Sequence, residues 1–159
     1  MMVTVRKAQQ SDAQTIVDLI NGLAEYEKLA EHAVASAGDI KASLFNENPK
    51  AFALIAEVDR EVAGFALYFF NYSTFIGKHG VYLEDLFVKP EFRSRKVGLA
   101  LFKALGKVAK ENDCGRIDWA VLDWNKLAID FYDRLGAKAQ TEWTGYRLEG
   151  NALDLLKKM

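Results

Sequence analysis

Between Val88 and Phe102 the chain reads "VKPEFRSRKVGLALF", which places Lys89, Arg93, Arg95 and Lys96 within eight positions, just ahead of an amphipathic helical run. The first turn of a helix carries backbone N–H groups without partners and a partial positive charge, so this turn can seat a phosphate or a similar anion. A solvated basic turn would have the same composition. Directly upstream, Glu84 and Asp85 stand among Tyr82, Leu83, Leu86 and Phe87. Apolar neighbours desolvate a carboxylate and raise its pKa, which makes Glu84 a candidate proton acceptor; an exposed strand carboxylate or a salt-bridge partner is the other reading. Strand alternation turns Asp85 to the opposite face, in a supporting role. Asn125 and Tyr132 are seven residues apart, two helical turns, and so can face one cleft, although Ala128, Phe131, Tyr132 and Leu135 also fit a core-facing stripe. Glu25, Tyr26 and Glu27, with Glu142 and Trp143, could surround a cation with carboxylates and aromatic faces.

The chain that must position these groups has 159 residues, a length suited to a single domain over 1–159. It is 50% apolar and 27% charged with formal net charge -1, so the basic turn is a local feature and not part of a general polycation. No apolar run reaches the length of a membrane span and the N-terminus lacks a signal-peptide core, which gives a cytoplasmic address by default. Cys114 is the sole cysteine, and neither His32 nor His79 lies in a metal-spaced motif, so no disulfide and no metal are expected.

"VTVRKA" alternates as a strand, and Ser11 with Gln14 forms a capping box ahead of Ile16, Ile20, Leu23 and Ala24. A second helix follows Ser36. "AFALIAEV" and "EVAGFALYFFNY" read as a hairpin about Asp59-Arg60, and Gly80 to Val88 as a third long strand ended by Pro90. A helix through Gly98, Leu101, Phe102, Leu105 and Val108 comes next. "GRIDWAVLDW" reads as a strand, "NKLAIDFYDRLGA" as a helix capped by Asn125 and stopped at Gly136, "TGYRLEG" as a last strand and "NALDLLKKM" as a closing helix. This order specifies an α/β (α+β) fold with a mixed, mostly antiparallel central sheet flanked by helices.

With these residues in place, the chain resembles the GNAT superfamily of acetyl-CoA-dependent N-acetyltransferases. Their Arg/Gln-x-x-Gly-x-Gly/Ala signature falls on Arg93-Ser94-Arg95-Lys96-Val97-Gly98. "YLEDLFV", "VLDWN" and "FYDRLGA" are similar, in order and spacing, to the diamine (spermidine/spermine) and thialysine acetyltransferases, as are "LAEYEKL", "FIGK" and "LLKKM". Those relatives carry glycine at the positions of Ser94 and Lys96. The replacements strain the turn by about 1 kcal/mol, or are neutral if both sites keep helical dihedrals. Lys96 could instead add a phosphate contact.

The resemblance implies direct acetyl transfer from acetyl-CoA to a primary amine of a small cationic substrate, a diamine, polyamine or thialysine-like compound. An alkyl amine with a pKa near 10.4 is neutral in roughly one molecule per two thousand at pH 7, so a base must take its proton. Glu84 is implied as that base and Tyr132 as the proton donor to the departing thiolate. Leu86, Phe87 and Val88, with Arg93, Ser94, Arg95, Lys96, Val97, Gly98, Leu99 and Asn125, are implied at the coenzyme. Tyr26, Glu27, Phe75, Glu84 and Asp85 are implied at the amine, although Ser73 stands where diamine enzymes often place an acid. A homodimer is implied as well. Another small amine as substrate, or an inactive acyl-CoA sensor, are the alternatives. A nucleic-acid module is disfavoured by the negative net charge and by the absence of aromatic residues among the basic ones.

Overall fold

A computed structural model describes residues 2–159. The chain divides into two compact units, Met1–Ala120 and Val121–Met159. The first unit holds one sheet of five strands in the order β1 (Val3–Lys7), β2 (Phe52–Val58), β3 (Glu61–Ser73), β4 (Lys78–Val88) and β5 (Ile117–Trp119). The first four are antiparallel neighbours, and β5 joins β4 in parallel. Three helices accompany them: α1 (Ala13–Tyr26), α2 (Ala37–Leu44) and α3 (Val97–Glu111).

Two-residue chemistry sets the β2–β3 hairpin as expected: Asp59 and Arg60 both have positive φ, 50° and 73°, the pairing that matches strand twist. On one face of the sheet, Ala53, Ile55, Phe65 and Phe87 bury against Ala13, Ile16, Val17 and Leu19 of α1 and Ile40 and Leu44 of α2. Leu54, Ala56 and Ala66 of the other face are also buried, and α3 packs on the sheet through Val97, Leu101, Phe102, Leu105 and Val108. Gly22 lets α1 approach β4, because a Cβ there would lie 2.9 Å from the Phe87 ring. The C-terminal end of α1 is thereby brought towards the middle of β4.

The start of α1 differs from the capping box read at Ser11. Ser11 lies in a 3-10 turn, Gln10–Asp12, and the helix begins at Ala13. Asp12 organises the junction by accepting the Gln9 amide at 2.7 Å and both terminal nitrogens of Arg6 at 2.7 and 3.0 Å. A paired acid next in sequence outcompetes the serine hydroxyl. Ser36 does cap α2, in a reciprocal box with Asp39.

The second unit contains α4 (Lys126–Arg134) and α5 (Gly150–Lys157). Asn125 caps α4 by accepting the Ala128 amide at 3.3 Å, and Gly136 ends the segment with φ 91°. Two strand expectations are corrected here. "GRIDWAVLDW" pairs only over Ile117–Trp119, and residues 144–149 form no strand. Alternation of Tyr146 and Leu148 supplies a strand-like face, but pairing needs a neighbour, and Tyr146 is left 96% exposed.

Candidate active site

The carboxylates of β4 are placed by an irregularity. Tyr68 of β3 is registered with Leu83, and Leu67 with Asp85, so Glu84 is an extra residue, a β-bulge. The bulge ends simple alternation: Leu83 shares the face of Tyr68, while Asp85 and Phe87 share that of Leu67 and Phe65, the α1 face. Desolvation falls on Asp85, whose pKa is pushed up to about 6 by burial, then by the charges of Glu84 and Glu27. Glu84 itself is exposed, which corrects the expectation that its apolar neighbours bury it. Glu27, the residue that ends α1, also has its pKa raised by burial. The charges of Glu84 and Glu27 therefore both act on Asp85 beside the bulge.

Beyond the bulge, β4 has a free side. β5 pairs with β4 only over Val81–Leu83, and no other strand among the described residues continues along Glu84 to Val88. The Lys89 amide donates to Ala63 of β3 at 2.8 Å. Because successive amides point to opposite edges, those of Val88 and Leu86 face the free side. Such an edge can pair with an extended ligand as an added strand would, and its amides can stabilise a developing oxyanion. Gly64 holds β4 close at this end, since a Cβ on it would clash with the Phe87 carbonyl oxygen.

The chain then enters the basic turn through Pro90 and buried Phe92 and launches α3 from Lys96. Ser94 and Lys96 both have left-handed backbones, φ 65° and 62°. Of the two alternatives for these positions, the strained one is therefore realised. Arg93 donates from Nε to the Val88 carbonyl at 3.3 Å, and its guanidinium lies 4.9 Å from the centre of the Tyr26 ring. Arg95 lies 5.6 Å from the Phe92 ring centre. Lys96 is exposed, Val97 is buried, and Gly98 and Leu99 continue the first turn of α3.

The sequence profile of the Acetyltransferase (GNAT) family matches residues 16–137, which include the carboxylates, the free edge, the turn and α4. The chain belongs to the GNAT acetyltransferase family. A thialysine N-epsilon-acetyltransferase of Sus scrofa is 40% identical over 162 aligned positions, with 95% of each chain covered. An L-ornithine N5-acetyltransferase of Arabidopsis thaliana is 31% identical, covering 100% of this chain and 90% of its own. Among solved structures, an integron cassette protein from the mobile metagenome of V. cholerae superposes with TM-score 0.82 at 30% identity, covering 100% and 99% of the two chains. The mixed sheet and its helices are thus those of a GNAT acetyltransferase, and the protein is an enzyme.

In this GNAT chain the fold brings Tyr26, Glu27, Glu84, Asp85 and Arg93 into one neighbourhood. Phe75 stands apart from the turn: it is 97% exposed at the tip of the β3–β4 hairpin, at the end of β4 remote from Val88. In the second unit, Asn125 is buried and Tyr132 half-buried, with the Tyr132 and Phe131 ring centres 5.8 Å apart. The bulge is the feature that sequence reasoning missed. Its only trace is a carboxylate, Asp85, in phase with Val81, Leu83 and Phe87. Among the described residues no group of three or more His, Cys, Asp or Glu could hold a metal, and no helix is long and apolar enough to cross a membrane.

Proposed function

We propose that this enzyme moves an acetyl group from acetyl-CoA to a primary amine of a small cationic substrate, of the thialysine, ornithine or diamine kind, within a single domain spanning 1–159. The observation that carries the reading is the cluster of Glu27, Glu84 and Asp85 beside the free edge of β4. The names of the thialysine and ornithine relatives support an amine acceptor.

Glu27 and Asp85 attract the ammonium, and Glu84, exposed on the bulge, takes its proton directly or through water. Asp85, whose own pKa is raised by desolvation and by the neighbouring charges of Glu84 and Glu27, adds a negative charge beside the ammonium. The Leu86 and Val88 amides stabilise the charge that develops on the thioester oxygen. Tyr132 returns a proton to the departing thiolate, and Asn125 holds the start of its helix. Phosphates of the coenzyme occupy the turn from Arg93 to Leu99, with unpaired amides at the start of α3. Exposed Trp143, Tyr146, Leu155 and Leu156 support a homodimer. The setting is cytoplasmic, with neither nucleic acid nor membrane as partner.

Left-handed Ser94 and Lys96 favour a second reading, an acyl-CoA sensor without turnover. Thiol release from acetyl-CoA against a panel of thialysine, ornithine, lysine, diamines and polyamines separates the two. Turnover with at least one amine is expected. Binding of acetyl-CoA with no turnover on any amine would favour the sensor.

A further inference from the structure

The turn that launches α3 holds two non-glycine residues in left-handed conformations, one on each side of Arg95. Such conformations persist only where the surroundings hold them. Arg93 has two supports: Nε donates to the Val88 carbonyl, and the guanidinium carbon lies over the ring of Tyr26, the last residue of α1. Arg95 rests against Phe92 within the turn itself, whereas Arg93 is supported from two other elements, by Val88 at the end of β4 and by the Tyr26 side chain of α1. The residue that follows and caps α1 is Glu27, whose charge acts on Asp85.

We propose that Tyr26 is a positioning residue for the phosphate turn, holding Arg93 so that the turn is set for the coenzyme before any amine arrives. This role is separate from the amine contact assigned to Tyr26 above, and it rests on acetyl-CoA binding at this turn.

The test is calorimetric titration of acetyl-CoA without amine into wild type, Tyr26→Phe, Tyr26→Leu, Arg93→Met and the Tyr26→Leu/Arg93→Met double variant. An exposed cation–π contact contributes about 0.5–1 kcal/mol, so Tyr26→Leu should weaken acetyl-CoA roughly two- to five-fold. Tyr26→Phe, which keeps the ring, should restore most of that loss, and Tyr26→Leu should add nothing in the Arg93→Met background. A residue that only touches the amine would leave these affinities unmoved. Unchanged affinity in Tyr26→Leu, or fully additive losses, would overturn the proposal. If Tyr26→Leu does not fold, Tyr26→Met decides: it keeps an apolar side chain but no ring, so the same weakening is expected, and wild-type affinity overturns the proposal. No saturable binding by wild type would instead overturn the coenzyme reading itself.

Discussion

Leu67 of β3 lies opposite Asp85 of β4, although its neighbour Tyr68 lies opposite Leu83, so the two strands are one residue out of step across Glu84. This slip turns Asp85 towards the end of α1 and leaves Glu84 out in the open. One carboxylate becomes reachable and the other desolvated, a division of labour between adjacent residues that regular pleating would not give.

The desolvated member costs stability. Asp85 binds its proton more tightly in the folded chain, at about 6 against the ordinary carboxyl value of 3.8. Protonation therefore stabilises the fold, and this contribution is lost as pH rises from 3.8 through about 6. Asp85→Asn removes the buried charge without changing shape, so its melting temperature at pH 7 should exceed that of wild type, with the difference shrinking towards pH 4. Thermal melts of both proteins across that range check the sign.

The phosphate turn stores strain of a kind that glycine relieves. Ser94→Gly and Lys96→Gly should each stabilise the enzyme by up to about 1 kcal/mol, the left-handed penalty less the extra freedom of an unfolded glycine. Denaturant midpoints measure this. Ser94→Gly should also leave acetyl-CoA affinity no weaker, because the backbone path is kept.

Tyr132 can be a packing residue or a proton donor, and periodicity alone does not separate them. Tyr132→Phe keeps the ring and removes only the hydroxyl. The proposed role predicts a loss of about 10²–10⁴-fold in turnover with an unchanged melting temperature. A packing role predicts near-normal turnover.

Much of this architecture was legible in the chain. Ser36 and Asn125 announced their helices, Asp59-Arg60 its hairpin, and the stripe from Gly98 to Val108 the helix behind the turn, because each is decided by local chemistry. What was not legible depends on partners. The slip at Glu84 is a property of two strands together, and residues 144–149 alternate like a strand yet pair with none. Arg93 read as a phosphate ligand; its contact with Tyr26 joins elements 67 residues apart in sequence, which spacing could not reveal.

The central claim is that the bulge presents Glu84 as the proton acceptor with Asp85, half-buried and desolvated, beside it. The pH dependence of kcat/KM for wild type, Asp85→Asn and Glu84→Gln tests it most directly. Wild type should lose activity as pH falls through about 6, where Asp85 takes up its proton and its charge is lost from the site. Asp85→Asn should stay active with this limb moved to lower pH, and Glu84→Gln should remain folded but lose about 10²-fold or more. A Glu84→Gln enzyme within a few-fold of wild type, with its limb still near 6, would contradict the account.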